Sequence, residues 1–279
     1  MFKEYDQETL DKVHKINLSI YKDFAELCNK HNIDYFAIAG TSIGAQRHQG
    51  FIPWDDDIDV SMLRSDYEKF CEVCKTDLAD AYILQNFHTE KNCGLVFAKI
   101  RKKGTIFSED YSQHLNINQG VWIDIFPYDN VPDNRDILLK QTKKVDFLKN
   151  LYIVKSGYKM PPNMTLLKKI AYYGAKLLCV FTPFSTLITK LDKEMTRFNN
   201  QNCKNIYPYG GAYGIDREML PARLCTETTT VEFEGNHYLT YKNYEEYLTL
   251  HYGNYLELPP ENERVAGVHR IVEFKASVN

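Results

Sequence analysis

Length, composition and charge are those of an ordinary globular protein. The chain has 279 residues, of which 44% are hydrophobic and 25% are charged, enough for one large domain or two smaller ones. The net charge of -3 and the pI of about 6.3 argue against a nucleic-acid-binding protein, which would usually be basic.

The cysteines and the apolar segments bear on where the protein works. Seven cysteines, an odd number at irregular spacings, predict reduced thiols and not a disulfide framework. The first ten residues lack the apolar core of a signal peptide, and no window has the roughly 18 uninterrupted apolar residues of a membrane span. We therefore expect a cytoplasmic protein, which could work at the inner face of the cell membrane.

The first elements are a long helix, a short strand and a turn. Apolar residues recur at three- and four-residue steps over 7–31, which predicts an amphipathic helix. A short apolar strand is predicted at 35–39, and Gly40-Thr41-Ser42 then turns into a helix that runs through Gln46. Such a turn offers backbone N–H groups and two hydroxyls to a phosphate, although small residues also fill many ordinary turns.

Four aspartates within five residues form the most informative stretch. The alternation Asp57-Ile58-Asp59-Val60 predicts a strand over 57–62, with both acids on one face and both β-branched residues in the core. Two carboxylates about 7 Å apart on one face repel each other, and a hard divalent metal ion would relieve that repulsion. A solvated acidic loop is the alternative, but it gives no reason for the alternation. The four residues are Asp55, Asp56, Asp57 and Asp59, of which Asp56 is expected to face away from the site.

The next segment adds cations and a further acid. A helix is predicted from 66 to about 79, followed by strands at 82–87, 95–102 and 105–108. Lys99 and Arg101 share one face of the second strand, where they could meet phosphates or could form an ordinary solvated face. Residues 121–127 are apolar except for Asp124, which predicts a buried central strand. Asp124 is either a structural acid satisfied by backbone N–H groups or a third member of the acidic cluster.

The second half of the chain is predicted to be mainly helical. Helices are expected over 134–155 and 163–200 with breaks near Pro161-Pro162 and Pro183, then a β-hairpin at 231–241 and a helix at 244–251. The run 166–181 is apolar, aromatic and basic together. It could associate peripherally with a membrane surface, or it could be a core helix whose lysines reach the solvent, and we favour the core helix.

Four segments, in this order, resemble the LicD family of phosphotransferases. They read GTSIGAQRHQGFIPWDDDID, AKIRKKGT, WIDIFPYD and YEEYLTLHYGNYLELPPENERVAGVH, and the resemblance extends over about residues 25–270. Fukutin and fukutin-related protein carry the same kind of domain. The resemblance implies an α/β (α+β) fold with a nucleotidyltransferase-like mixed sheet flanked by helices. We expect this catalytic core at 1–130 and a mainly helical region with a β-hairpin at 131–279.

The resemblance also implies a chemistry. Family members use Mg²⁺, as one or two ions for which Mn²⁺ could substitute, and transfer a phosphoalcohol from a CDP-linked donor to a glycan or lipid-linked glycan. Phosphocholine transfer from CDP-choline to teichoic acid, lipopolysaccharide or capsule is the main expectation. Phosphoribitol or phosphoglycerol transfer, NMP transfer from an NTP, and a non-catalytic scaffold are the alternatives.

The residue roles follow from matching positions. Asp57, Asp59 and Asp124 are the expected catalytic residues and metal ligands, and Asp55 would bind a second metal ion or order the loop. Asp124 would share the metal ion or accept the proton of the acceptor hydroxyl. The residues expected to bind the donor nucleotide are Gly40, Thr41, Ser42, Arg47, His48, Lys99, Arg101, Arg264 and His269.

Overall fold

The computed structural model describes residues 6–159, 164–264, 269 and 271–277, and it has the mixed α+β fold that the sequence predicts. Its helices are α1 Gln7–Lys30, α2 Ala39–His48, α3 Arg64–Asp77, α4 Arg135–Ser156, α5 Leu166–Phe181, α6 Phe184–Met195, α7 Ile215–Glu218 and α8 Tyr244–Tyr252. Its strands are β1 Phe36–Ala37, β2 Asp59–Leu63, β3 Tyr82–Gln85, β4 Ala98–Lys102, β5 Ile106–Glu109, β6 Trp122–Val131, β7 Asn205–Tyr207, β8 Leu220–Pro221, β9 Thr228–Phe233, β10 Asn236–Tyr241 and β11 Ile271–Lys275.

A central mixed sheet organises the fold, with strand order β1-β2-β6-β4-β3. Strand β6 lies in the middle, parallel to β2 and antiparallel to β4. Its apolar sequence follows from this position, because a central strand is covered on both faces. The pairing sets Asp59 beside Asp124 on one side and Lys99 beside Asp124 on the other. Three ionisable side chains therefore lie abreast on one face of the sheet.

The α1 helix covers the opposite face of this sheet. Asp6 caps the helix by accepting the N–H of Thr9 at 2.9 Å, and Val13, Ile20 and Phe24 are buried with residues of the sheet. Ile58 and Val60 belong to the same core, as the alternation around the aspartates predicts. This packing turns the acids of that stretch away from the core.

Elements from the second half complete the architecture. The β9–β10 hairpin forms as predicted, with Glu234 and Gly235 both at positive φ in its two-residue turn. Strand β7 pairs with the end of β6, and β11 pairs with β5. The expected domain boundary at residue 130 thus lies inside β6. Helices α4 and α6 pack together through a second apolar cluster, and Pro183 separates α5 from α6 as predicted, while Pro161-Pro162 lies outside the described residues.

Helix α5 is exposed, and the prediction that it is a core helix is wrong. All its residues are described, and Cys179 is the buried one among them. Leu166, Leu167 and Phe181 are 74%, 79% and 80% exposed. The helix touches the rest of the chain through one narrow face, so most of its apolar positions have no neighbour to cover them. Within the described residues, no helix is long and apolar enough to cross a membrane.

Candidate active site

Three carboxylates meet where β2 begins. Asp57 precedes the strand, Asp59 is its first residue, and the parallel register brings Asp124 of β6 alongside. Each of the three offers an oxygen that lies within 4.8 Å of the other two. The backbone N–H of Asp59 donates to Thr41 Oγ1 at 2.8 Å, and that of Asp124 donates to the Ile58 carbonyl at 2.8 Å. The structure thus brings together the acids singled out in the sequence, and their metal-binding role stays a prediction.

The crowding of these acids disfavours their ionised forms. Burial raises the pKa of Asp57 and of Asp59 well above the ordinary value, and each is raised further by a neighbouring acid, Asp59 for the first and Asp124 for the second. Burial also raises the pKa of Asp55 to about 6, against the lowering effect of His269. A bound cation would remove the cost of ionising such a cluster.

His269 joins the acids from the far end of the chain. Its Nδ1 lies 2.8 Å from Asp56 Oδ1 and its Nε2 lies 3.5 Å from Asp57 Oδ2. Burial opposes the imidazolium, but the hydrogen bond to Asp56 and the charges of Asp57 and Asp56 raise the pKa of His269 to about 10. The sequence predicts a donor-binding role for His269 and none for Asp56. They are 213 positions apart in the sequence, and nothing in the sequence signals this pairing.

Lys99 neutralises Asp124 within the sheet. Its Nζ lies 3.0 Å from Asp124 Oδ1 and 3.8 Å from the centroid of the Trp122 ring, and the Trp122 indole N–H donates to Asp124 Oδ2 at 3.1 Å. Both partners of the ion pair are about 95% buried. Asp124 is therefore neither a solvated acid nor one satisfied by backbone alone. Lys99 also lines the large cavity in front of the cluster, where it can reach a ligand.

Arg101 shares the face of Lys99 but is engaged by the protein itself. Its Nε donates to Gln85 Oε1 at 2.6 Å, and its Nη1 donates to the Gly120 carbonyl at 2.7 Å. The described lining of the cavity does not include it. The structure thus gives Arg101 a structural role in joining β3, β4 and the start of β6, and does not place it against the donor.

The start of α2 faces the cavity, but its hydroxyls do not. Gly40 lines the cavity, and a Cβ built on it would lie 2.1 Å from Asp55 Oδ2. Thr41 and Ser42 are buried, and the Thr41 hydroxyl holds the backbone of Asp59. The predicted hydroxyl cradle for phosphate is therefore not formed. Thr41 instead positions an acid, and the small residue at position 40 makes room for another.

The basic residues Arg47, His48 and Arg264 lie apart from the cavity in the described structure. Arg47 donates from Nη1 to two carbonyls of the segment 255–259 at 3.1 and 3.0 Å, and from Nε to His48 Nε2 at 2.9 Å. Arg264 donates to a carbonyl of the same segment, and its guanidinium lies 5.9 Å from the centroid of the Trp54 ring. Arg47 thus attaches that segment to α2 and Arg264 holds it from the other side in sequence, roles that the sequence pattern did not indicate.

A cavity of about 1810 Å³ opens in front of the acids. Its far walls come from α4, α5, α7, α8 and the segments 109–111, 158–159 and 208–213, so both halves of the chain contribute to it. Cationic and aromatic side chains line these walls, and the sequence pattern assigned none of them to the site. The cations are Lys149, Lys159, Lys168 and Arg217, and the tyrosines include Tyr111, Tyr158, Tyr172, Tyr213 and Tyr252.

Comparison with known proteins shows what the residues of this site resemble. Residues 32–155 match the family model described as "LicD/FKTN/FKRP, nucleotidyltransferase domain", a range that holds α2, the acidic cluster, Lys99 and Asp124. The lipopolysaccharide cholinephosphotransferase LicD of Haemophilus influenzae is 29% identical over 258 residues, which cover 92% of this chain and 94% of that protein.

Two uncharacterised proteins match shorter segments. One, from Rickettsia prowazekii, is 37% identical over 97 residues, covering 27% of this chain and 35% of its own length. The other, from Rickettsia typhi, is 46% identical over 59 residues, covering 20% of this chain and 19% of its own length. Residues 32–155 thus carry a domain that matches the LicD/FKTN/FKRP family model, and the chain is similar to a LicD protein over nearly its whole length.

Proposed function

We propose that this chain is a phosphotransferase that moves a phosphoalcohol, phosphocholine foremost, from a CDP-linked donor to a sugar hydroxyl of a cell-surface glycan. The main structural support for this proposal is the cluster of Asp57, Asp59 and Asp124 at the wall of a large cavity. A relative named as a lipopolysaccharide cholinephosphotransferase matches the chain over nearly its whole length, which supports the reaction class.

The acidic cluster fits a hard divalent metal ion. Its donors are carboxylate oxygens, which Mg²⁺ and Mn²⁺ prefer, and it lies in a buried site where unpaired negative charge is costly. Asp57, Asp59 and Asp124 would hold one Mg²⁺, and Asp55 is near enough to Asp57 to assist with a second. When bound, the metal would supply charge neutralisation and orientation at the donor's pyrophosphate.

The chain's own residues would do the rest by positioning and electrostatics. Asp56 holds His269, and protonated His269 in turn fixes the orientation of Asp57. Lys99 pairs with Asp124 and presents positive charge to the cavity, where charge would develop on the departing CMP. The proton of the acceptor hydroxyl would pass to a carboxylate of the cluster as that oxygen attacks the β-phosphorus.

One wall of the cavity suits a quaternary ammonium group. The rings of Tyr111 and Tyr158 stack with centroids 5.6 Å apart, and the buried Glu109 accepts a hydrogen bond from the Tyr111 hydroxyl. All three residues line the cavity. Aromatic faces beside a carboxylate attract a trimethylammonium cation, whereas glycerol or ribitol would gain nothing from that charge. This composition favours choline among the alcohols that the family fold could carry.

Product analysis tests the proposal. The protein is incubated with an acceptor glycan and Mg²⁺ or Mn²⁺, together with CDP-choline, CDP-glycerol, CDP-ribitol or an NTP. We expect CMP release from CDP-choline that stops when the metal is chelated. Release of pyrophosphate from the NTP would replace this proposal with NMP transfer, which the nucleotidyltransferase description of the matched domain favours as the second candidate. CMP release from an alditol donor alone would keep the reaction class and change the alcohol.

A further inference from the structure

Helix α5 presents two opposite faces to two different environments. One face lines the cavity in front of the acidic cluster through Lys168, Ala171, Tyr172 and Ala175, which recur at helical spacing. The other face points away from the protein. A helix that is covered along one side only must have a second partner, or leave its remaining surface to water.

The outward face of α5 is an apolar stripe. Ile170, Tyr173 and Leu177 are 61%, 60% and 65% exposed, and the stripe continues to Leu166 at one end and Phe181 at the other. The stripe is about 22 Å long, from the rise of about 1.5 Å per residue in an α-helix. A continuous apolar surface of this kind is uncommon on a protein that stays in water, and it marks an interaction site.

The charges on α5 indicate what covers the stripe. Apart from Lys168 on the cavity face, the helix carries Lys169 and Lys176 and no acidic residue, in a chain whose net charge is -3. Lysines beside an apolar stripe match an anionic lipid surface, where the apolar side chains enter the acyl boundary and the ammonium groups reach the headgroups. A second copy of the chain fits less well. One helix face falls short of the roughly 800 Å² per partner of a standard protein interface.

We infer that α5 is an interfacial helix that docks this protein on an anionic lipid surface through its outward apolar stripe. The opposite face of the same helix lines the cavity, so docking sets the cavity beside the headgroups. If the proposed function holds, its acceptor is then a glycan linked to a lipid, presented from that surface. The docking itself does not rest on the proposed function.

Vesicle flotation tests the docking. Vesicles of phosphatidylcholine alone are compared with vesicles that also contain about one third phosphatidylglycerol. We expect the protein to float with the anionic vesicles about tenfold more than with the neutral ones, and added salt to weaken that binding. The double variant Ile170→Glu/Leu177→Glu should lose about tenfold in binding, and Lys169→Glu/Lys176→Glu should lose the preference for anionic vesicles.

A matched control introduces the same charges elsewhere. Ile137→Glu/Leu250→Glu changes two helical residues that are 43% and 55% exposed, and it should bind vesicles like the unchanged protein. The proposal is overturned if Ile170→Glu/Leu177→Glu binds normally. It is also overturned if the unchanged protein ignores vesicles and sediments as a dimer that this variant converts to a monomer. Flotation without CMP release from any CDP-alcohol would leave the docking intact and remove the proposed function.

Discussion

At the scale of single residues, the site combines five carboxylates with few cations. Among the described residues, Lys99 and His269 are the cationic side chains in contact with the acids at positions 55, 56, 57, 59 and 124. Lys99 is held by Asp124 and His269 by Asp56 and Asp57, so within the described part of the chain no further cationic side chain faces the remaining acids. This imbalance is the physical reason to expect metal binding, and it makes each of the metal-facing acids hard to replace.

Asp57→Asn keeps the shape of that side chain and removes its charge. We expect phosphoalcohol transfer to fall by about 100-fold or more, because a metal carboxylate contributes several kcal/mol to the barrier of a charged reaction. The rise in melting temperature on adding Mn²⁺ should also shrink. Kinetics and thermal melts measure the two effects. Asp80→Asn, at an exposed acid outside the cavity lining, is the control, and near-normal transfer by Asp57→Asn would remove Asp57 from the metal site.

At the scale of elements, strand β6 carries two acids with different roles, one at the cavity and one in the core. Asp124 faces the cavity, whereas Asp129, five residues on, is fully buried and paired with Arg64 at the start of α3. The two Arg64–Asp129 hydrogen bonds measure 2.8 and 2.6 Å, and Asn199 also donates to Asp129. Burial alone would lower the pKa of Arg64, but Asp129 raises it above its ordinary value. The pair therefore fixes α3 against the sheet.

Removing the Asp129 carboxylate should act on stability. Asp129→Ala leaves Arg64 buried without its partner, so we expect the free energy of unfolding to drop by about 3–5 kcal/mol. Urea denaturation followed by circular dichroism measures this loss. Asp136→Ala, at an exposed acid in the first turn of α4, should cost far less. A loss below about 1 kcal/mol for Asp129→Ala would mean that the pair contributes little.

The close approach of Gly40, at the start of α2, to Asp55 leads to a separate prediction. A methyl group at Gly40 would overlap Asp55 Oδ2, which is the end of a flexible side chain and can move aside. Gly40→Ala should therefore fold but weaken metal binding and reduce transfer by about tenfold or more, since small displacements at a reacting centre are costly. Gly174→Ala in α5 is the matched control, because nothing lies within 4 Å of a Cβ there. Equal activity of the two variants would show that Asp55 is dispensable.

Local patterns in the sequence predicted the elements and left their partners unspecified. Period and turn chemistry predicted α1, the β9–β10 hairpin and the alternation of Asp57 with Ile58, because these depend on neighbouring residues. The pairing of Asp56 with His269 could not be predicted, since it depends on how distant segments meet. The exposure of α5 was mispredicted for the same reason: periodicity identifies an apolar face but does not say what covers it.

At the scale of the whole molecule, the acidic cluster makes stability depend on pH. The pKa of Asp55 is raised to about 6 and that of His269 to about 10, so both hold protons in the folded state that the unfolded chain releases at lower pH. Where the folded state binds more protons, the free energy of unfolding falls as pH rises. The stability that the Asp55 proton contributes begins to be lost above the ordinary pKa of an aspartate, and it is lost completely past about pH 6. For His269 the corresponding loss continues towards about pH 10.

Melting curves at several pH values test this linkage. In a chelator we expect the melting temperature to fall as pH rises from about 5 to about 8. Added Mg²⁺ or Mn²⁺ should offset the fall, and the metal-induced increase should grow with pH because fewer protons must leave the carboxylates. His269→Gln should make the decline shallower in the chelator. A melting temperature that climbs over this range without metal would contradict the assignment.

The parallel pairing of β2 with β6 also affects when the site can form during synthesis. Asp59 leaves the ribosome well before Asp124, which lies about 65 residues further along the chain. His269, whose imidazole binds Asp56, lies 213 positions after Asp56. Pairings between distant segments form slowly, because the entropy of closing a long loop is lost before the contacts contribute any stabilising free energy. A nascent chain therefore carries Asp57 and Asp59 before Asp124 is available to complete the acidic cluster. If these acids bind a metal ion as proposed, tight binding would begin only after Asp124 has been made and β6 has paired with β2.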